Sequence, residues 1–448
     1  MNAIFFSIVV IAFGVAAYRQ LTESISASAP TAMDVLGTGI IEAAKGSVTL
    51  ALGLIGVMAL FLGLMKVAEA GGLLTIIAKL LRPIMIRLFP DVPDGHPAMG
   101  AIIMNLSANI MGLGNAATPF GIRAMQELDK LNNHKGTASD SMVLFLAINT
   151  SSITLLPTGV IALRAAAGSS DPAGIVPTTL FATLCSTFIA ILAAKYFARL
   201  WRMPNTPEST SLSSRAISDI APNDTSIIDV IPDTVKDAET AATGSGTYPF
   251  WATLLTLAVV ITMIPLTIFY GKTISPWIIP CLMLALLAFG YFRGVPVYEV
   301  FVDGAKDGFQ VAIRIIPYLV AILVAIGMFR ASGAMEILIQ PLGVLTGQIG
   351  LPADALPMAI LRPLSGSGAY GVLASTIQNP AIGPDSYTGY LVSTLQGSTE
   401  TTFYVLAVYF GAVQIRRVRH ALAAGLTADI AGAAAAIFIC SLLYGHLA

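Results

Sequence analysis

STLQGSTETTFYVLAVYFG, Ser393 to Gly411, places a run of polar and small residues inside a segment that otherwise reads as a membrane span. LAINTSSITLLPT, Leu146 to Thr158, does the same in the first half of the chain, and Pro157 there removes a helix hydrogen bond. A bilayer tolerates non-helical backbone only where protein or a water-filled cavity satisfies its amides and carbonyls. Interruptions at corresponding positions of two halves therefore point to a binding site where they meet.

Working outward, each interrupted span is preceded by a second broken segment. These are HPAMGAIIMNLSANIMGLGNAATPFG (His96–Gly121) and LPMAILRPLSGSGAYGVLAST (Leu356–Thr376). Other features recur in the same order. Ala44-Lys45-Gly46 is echoed by Ala305-Lys306-Asp307-Gly308, Glu69-Ala70-Gly71-Gly72 by Ala331-Ser332-Gly333-Ala334, and Pro97-Ala98-Met99 by Pro357-Met358. Between the halves, Ser, Thr, Asp, Pro and Gly displace the aliphatic background, as in a flexible linker. The expected organisation is a repeat at 1–203, a polar cytoplasmic linker at 204–247 and a second repeat at 248–448.

Of the 448 residues 56% are hydrophobic and 11% charged, and the mean hydropathy is +0.80, which puts most of the chain in a bilayer. Spans are expected at Asn2–Tyr18, Ser47–Met65, Ile175–Phe197, Phe250–Tyr270, Pro276–Phe292, Val311–Phe329 and Ala421–Tyr444. Ala27-Ser28-Ala29 resembles a signal-peptidase site, but no Lys or Arg precedes the apolar run and Pro30 follows it, so the first segment reads as a span. A net charge of −1 without a basic aromatic groove argues against nucleic acid. The cysteines and histidines show no metal-ligand spacing. No cofactor is expected, and no nucleophile–base pair or metal-ligand motif suggests an enzyme.

Charge then orients the halves, because Lys and Arg near spans collect on the cytoplasmic side. Lys66, Lys79, Arg82 and Arg87 follow the second span, whereas Ala331–Pro357 holds none; Arg123, Lys130 and Lys135 likewise face an empty stretch between Gln378 and Tyr390. The copies are thus oppositely inserted if the segments near 98–118 and 355–376 are re-entrant. The N-terminus is then cytoplasmic and the C-terminus outside. The alternative, in which both short segments span, puts Arg123, Lys130 and Lys135 outside. Leu73–Phe89 is a basic amphipathic stretch, suited to a helix on the membrane surface or to one packed between spans. The expected fold is all-α: a polytopic membrane protein with two inverted-topology repeats containing broken and re-entrant helices.

The candidate substrate-binding residues come from the interruptions: Asn105, Asn109, Asn115, Asn149, Thr150 and Ser151 from one half, and Ser365, Ser367, Gln396, Ser398, Thr399 and Glu400 from the other. Glu400 beside an apolar run suggests a cation or proton site, an acceptor for a ligand donor, or an ion pair with Arg362, and Asp429 inside the last span raises the same question. Asp140 and Asp385 read first as helix caps. The leading functional expectation is a secondary transporter or facilitator of a small polar solute, through a midplane site between the two inverted repeats, with or without a coupling cation or proton. The rival is a non-transporting membrane sensor or scaffold. Homo-oligomerisation is left open.

GNAATPFG (Gly114–Gly121) and INTSS (Ile148–Ser152) resemble spore maturation protein A. LRPLSGSGA (Leu361–Ala369), GPDS (Gly383–Ser386) and QGSTETTFYVLAVYFG (Gln396–Gly411) resemble spore maturation protein B. The chain looks like a fusion of these two families, which belong to a superfamily of nucleoside-recognition or gate domains. That resemblance implies a polytopic protein of the bacterial inner membrane with a transport role, linked in spore formers to dehydration of the spore core. The superfamily is similar to membrane regions of concentrative nucleoside transporters and of the ferrous iron transporter, which puts a nucleoside among the candidate solutes. No GxxxxGK[ST] sequence accompanies the likeness, so nucleotide hydrolysis is not implied.

Overall fold

A computed structural model describes residues 2–22, 30–93, 95–201 and 248–447. The linker expected at 204–247 and the Ala27–Ala29 triplet lie outside the described residues. Among the described residues every extended element is helical, and β pairing is confined to an isolated bridge between Thr137 and Arg417.

The first half contains α1 (Asn2–Thr22), α2 (Ala32–Ala70), α3 (Leu73–Leu88), α4 (Pro97–Ile110), α5 (Gly114–Lys130), α6 (Asp140–Ser151), α7 (Thr158–Ala166) and α8 (Ile175–Leu200). The second contains α9 (Phe250–Phe292), α10 (Val297–Ala331), α11 (Ala334–Leu338), α12 (Gln340–Gly347), α13 (Leu356–Leu364), α14 (Gly366–Gln378), α15 (Tyr387–Ser398), α16 (Thr402–Ala412) and α17 (Ala421–Tyr444). The echoed sequence at Gly72 and Gly333 has a structural counterpart. Both long helices, α2 and α10, end at a glycine in the left-handed region, with φ of 85° and 82°.

Equivalent helices of the two halves pack against each other in opposite directions. Along α2 and α10, Gly39 meets Ala331, Ala43 meets Gly327, Ala59 meets Gly308 and Gly63 meets Gly304. A Cβ on Gly308 would lie 2.7 Å from the Ala59 backbone, so the small residues permit this contact. In α8 and α17, Tyr444 Oη donates to Gly174 O at 2.8 Å, Phe181 packs on Phe438, and Ser186 Oγ donates to Ala428 O at 2.8 Å. Equivalent helices related by an axis along the membrane normal run parallel; these run antiparallel, so the repeats are inverted.

The core is divided accordingly. One apolar cluster surrounds α4–α5 with the C-terminal ends of α2 and α8 and the start of α17. A second surrounds α13–α14 with the middle of α2, the start of α8 and the end of α17, and a third, smaller one joins α1 to the start of α2 and the end of α10. Both ends of α4–α5 meet the first end of the molecule: Asp91 lies 3.3 Å from Ser141 Oγ, and Gly136 O accepts from Arg416 N. Both ends of α13–α14 meet the second: Gly350 O accepts from Tyr387, which contacts Ser441, and Pro384 O accepts from Arg164. Each hairpin therefore enters and leaves on one side. Lys66, Lys79, Arg82, Arg123, Lys130, Lys135 and Arg416–Arg419 all belong to the first end. α3 is the packing helix of the two alternatives, burying Leu74, Ala78 and Met85 in the first cluster.

α9 stands where two spans were expected, and its geometry explains the difference. Thr253 Oγ1 donates to Leu80 O at 2.9 Å, while Phe289 lies against Gly71. A straight helix would separate residues 253 and 289 by about 54 Å, whereas Gly71 and Leu80 are joined by a contour of at most about 32 Å, most of it helical. The helix is therefore not a straight rod over this length and bends between these contacts.

Local sequence sets the breaks. Ser139 Oγ caps α6 at Met142 N, and Ser386 Oγ caps α15 at Gly389 N, 3.0 Å away. The capping role expected of Asp140 and Asp385 is thus taken by their serine neighbours, and the two aspartates bind arginines of the opposite half instead.

Candidate functional site

The two interrupted spans meet where both are unwound. α6 ends at Ser151 and helix resumes at Thr158; α15 ends at Ser398, Thr399 is extended (φ −145°, ψ 167°), and α16 starts at Thr402. Glu400 N donates to Thr150 O at 2.6 Å, joining one break to the other, and Leu155 N donates to Ile110 O at 3.0 Å, joining the first break to the α4–α5 tip. At that tip Gly112 has φ 76°, and a Cβ on it would lie 2.8 Å from Leu156 O, so glycine is required on both counts.

A cavity of about 220 Å³ lies at this crossing. Asn109, Ser152, Thr154 and Thr158 line it from the first half, and Arg362, Tyr370, Gln396, Thr399 and Glu400 from the second. Gly112, Gly159, Gly366 and Gly397, with the apolar Leu156, Pro157 and Val160, complete the wall. Arg362 is 6% exposed, donates to Thr401 Oγ1 at 3.0 Å, and lies 3.8 Å from Glu400, whose side chain is 53% exposed. Gln396 is 3% exposed, and its Oε1 has no hydrogen-bond partner.

Of the residues singled out from sequence, the structure places Asn109, Gln396, Thr399 and Glu400 on the cavity wall. Others brace it from behind. Asn105 Nδ2 donates to Ala117 O at 2.7 Å, closing the α4–α5 hairpin, and Asn149 Oδ1 accepts from Asn109 Nδ2 at 3.0 Å. Thr150 contributes its carbonyl, with its buried hydroxyl unpartnered. Ser151 and Ser398 turn their hydroxyls back to Ile148 O and Leu395 O. Ser365 caps α14 at Gly368 N, and Ser367 is exposed outside the cavity. Asn115 sits in the first turn of α5, with its side chain outside the described residues. The sequence reading missed Tyr370, a tyrosine in an otherwise small-residue helix, and gave Arg362 no role beyond pairing with Glu400. Tyr370 fits there because position 159 is glycine: a Cβ would lie 2.6 Å from its Oη.

An ion pair between the halves stands at each end of the α8–α17 pair. At one end Arg419 binds Asp140 at 2.6 Å and also donates to Trp201 O. At the other, fully buried Arg164 binds Asp385 at 3.0 Å, donates to Pro384 O at 2.6 Å and stacks over Tyr390. Burial alone would raise the Asp385 carboxyl, but bonds from Ser169, Ser170 N and Ser170 Oγ, with Arg164 beside them, outweigh it and hold the carboxyl below its ordinary value. The two pairs are related as the repeats are: Arg164 sits in the last turn of α7 and Arg419 just beyond α16, and each aspartate precedes a broken span.

Comparison with known proteins places this architecture. Residues 51–167 and 312–416 match the family model described as Gate, nucleoside recognition. Spore maturation protein A of Bacillus subtilis (strain 168) is 51% identical over 158 residues, 35% of this chain and 81% of that protein. Spore maturation protein B of the same organism is 47% identical over 167 residues, 37% of this chain and 93% of that protein. Among solved structures, the Alcanivorax borkumensis YdaH transporter aligns over 99% of this chain and 98% of its own, at 16% identity and a TM-score of 0.41. The chain is a multi-pass membrane protein that belongs to the spore maturation protein A and B families, uniting an A-like and a B-like unit in one polypeptide.

Proposed function

We propose that the protein is a secondary transporter or facilitator that moves a small polar solute through the cavity between its inverted repeats. The supporting observation is the crossing itself, where unwound backbone and polar side chains from both halves line one cavity among membrane-spanning helices. A buried break carries unsatisfied polar groups at a cost of several kcal/mol each in hydrocarbon, and a wet solute site offsets that cost. The nucleoside-recognition description of the matched family adds to this reading. A cavity of about 220 Å³ is below the roughly 300–1,000 Å³ typical of drug-sized sites, which favours a small solute.

In this reading the protein sits in the bacterial inner membrane with its N-terminus in the cytoplasm, because the basic residues gather at the first end of the molecule. Arg419–Asp140 then closes the cytoplasmic side and Arg164–Asp385 the outer side. Rocking of one repeat against the other opens one pair while the other holds, exposing the cavity alternately. Chemically the chain's own residues bind and orient the solute; no bond is made or broken.

The test is uptake into proteoliposomes across a panel of nucleosides, amino acids and other small polar solutes. Saturable uptake of one class, abolished in Gln396→Leu, is the expected result. Retention of specific binding without uptake of any member would favour the sensor or scaffold reading instead.

A further inference from the structure

We infer that the solute carries a carboxylate, held by Arg362, and close to it a hydrogen-bond donor, an ammonium or hydroxyl, that faces Gln396 and Glu400. The inference rests on the transport reading above and names the chemistry of its cargo. Arg362 is 6% exposed and lines the cavity, yet only one of its N–H groups is donated, to Thr401 Oγ1. Its Nε is buried without a partner, and of the two carboxylates that act on it Glu400 stands 3.8 Å away with more than half its side chain exposed, while buried Asp429 accepts from Thr402. A buried guanidinium with most of its planar fork unused is costly unless something else completes it. The fork matches a carboxylate through two parallel hydrogen bonds.

The same wall supplies the opposite requirement. Gln396 Oε1 is a buried acceptor with nothing donating to it, and Glu400 adds acceptors beside it. The α14 N-terminus at Gly366 also opens on the cavity and favours the anionic end. Glu400 decides between anions: its charge opposes a phosphate dianion more than a carboxylate monoanion. An α-amino or α-hydroxy acid meets both halves of this demand, whereas a neutral nucleoside leaves Arg362 with Thr401 and the long pair to Glu400 alone on the cavity side.

The experiment is equilibrium binding to the purified full-length protein in nanodiscs, with α-amino and α-hydroxy acids, including serine and lactate, set against their amides, inorganic phosphate and neutral nucleosides. The acids are expected to bind at least about tenfold more tightly than serinamide and lactamide, the scale of one charge-assisted hydrogen-bonded pair. Arg362→Gln should erase that difference and Arg362→Lys restore part of it. Glu400→Gln keeps the guanidinium and removes its competitor, so lactate should bind more tightly than to wild type; this variant keeps the test open if Arg362→Gln misfolds. Equal binding of acids and amides, no binding of any acid, or preference for phosphate overturns the inference. Nucleoside uptake that survives Arg362→Gln overturns it while leaving transport intact. Arg362-dependent acid binding without uptake sustains the recognition chemistry and removes the transport reading.

Discussion

At the scale of single residues, the site depends on what is absent as much as on what is present. Gly397 lies in the cavity wall, and a Cβ there would fall 2.7 Å from Thr179 Cγ2 and 3.0 Å from its Oγ1. Thr179 is fully buried, so it cannot swing aside into solvent. Gly397→Ala is expected to cost about 1–3 kcal/mol by overpacking, read as a lower thermal midpoint in detergent. Combining it with Thr179→Ala should recover part of that loss, giving a coupling energy between the two sites; strict additivity would show that they do not touch. The residue scale is also where packing sorts the polar residues of a break. Asn105, Asn149 and Ser365 are polar residues at a break, as binding residues are, yet their hydrogen bonds go to backbone and to neighbouring side chains, with the Tyr409 hydroxyl bridging Asn105 Nδ2 and Asn149 Oδ1 and only Asn105 Oδ1 of this group left without a partner. Side-chain identity shows that a polar group must be satisfied at that depth, and only the packing shows whether a neighbour or a solute satisfies it.

At the scale of elements, the legible features were those that composition and spacing fix locally. The paired breaks near Ser151 and Ser398 follow from runs of polar residues that hydrocarbon would not tolerate in a lipid-facing helix. The re-entrant hairpins follow from the alternation of basic and non-basic flanks, and the structure has both α4–α5 and α13–α14 returning to their own side. Helix rotation was not legible. Ser365 and Ser367 are two residues apart in a small-residue turn, and nothing local tells which faces the cavity; in the structure neither does. Asp140 and Asp385 stand beside the true caps, Ser139 and Ser386, and their partners are more than 200 residues away. Such long-range pairing leaves no mark in a single sequence.

At the scale of the molecule, α2 with α10 and α8 with α17 form antiparallel pairs that tie the repeats together, and the cavity lies between the ion pairs at either end. If those pairs close the cavity in turn, fixing one should stop the cycle. Replacing Ser170 and Asp385, whose side chains are 2.7 Å apart, by cysteines in a background without Cys185, Cys281 and Cys440 gives a cross-link across the outer pair. Uptake should fall to background on oxidation and return on reduction. Uptake that continues through the cross-linked form would mean that this interface does not open during transport.

The account depends most on water reaching the crossing of the two broken spans. Water access can be read from single cysteines placed at Thr154, partly exposed on the cavity wall, and at Ser398, which is buried and turned back to Leu395 O, compared in membranes with a small, charged thiol reagent. Rapid modification at position 154, slowed by a bound solute, with protection at position 398, is the expected result. Protection of both positions, or equal labelling of both, would contradict it.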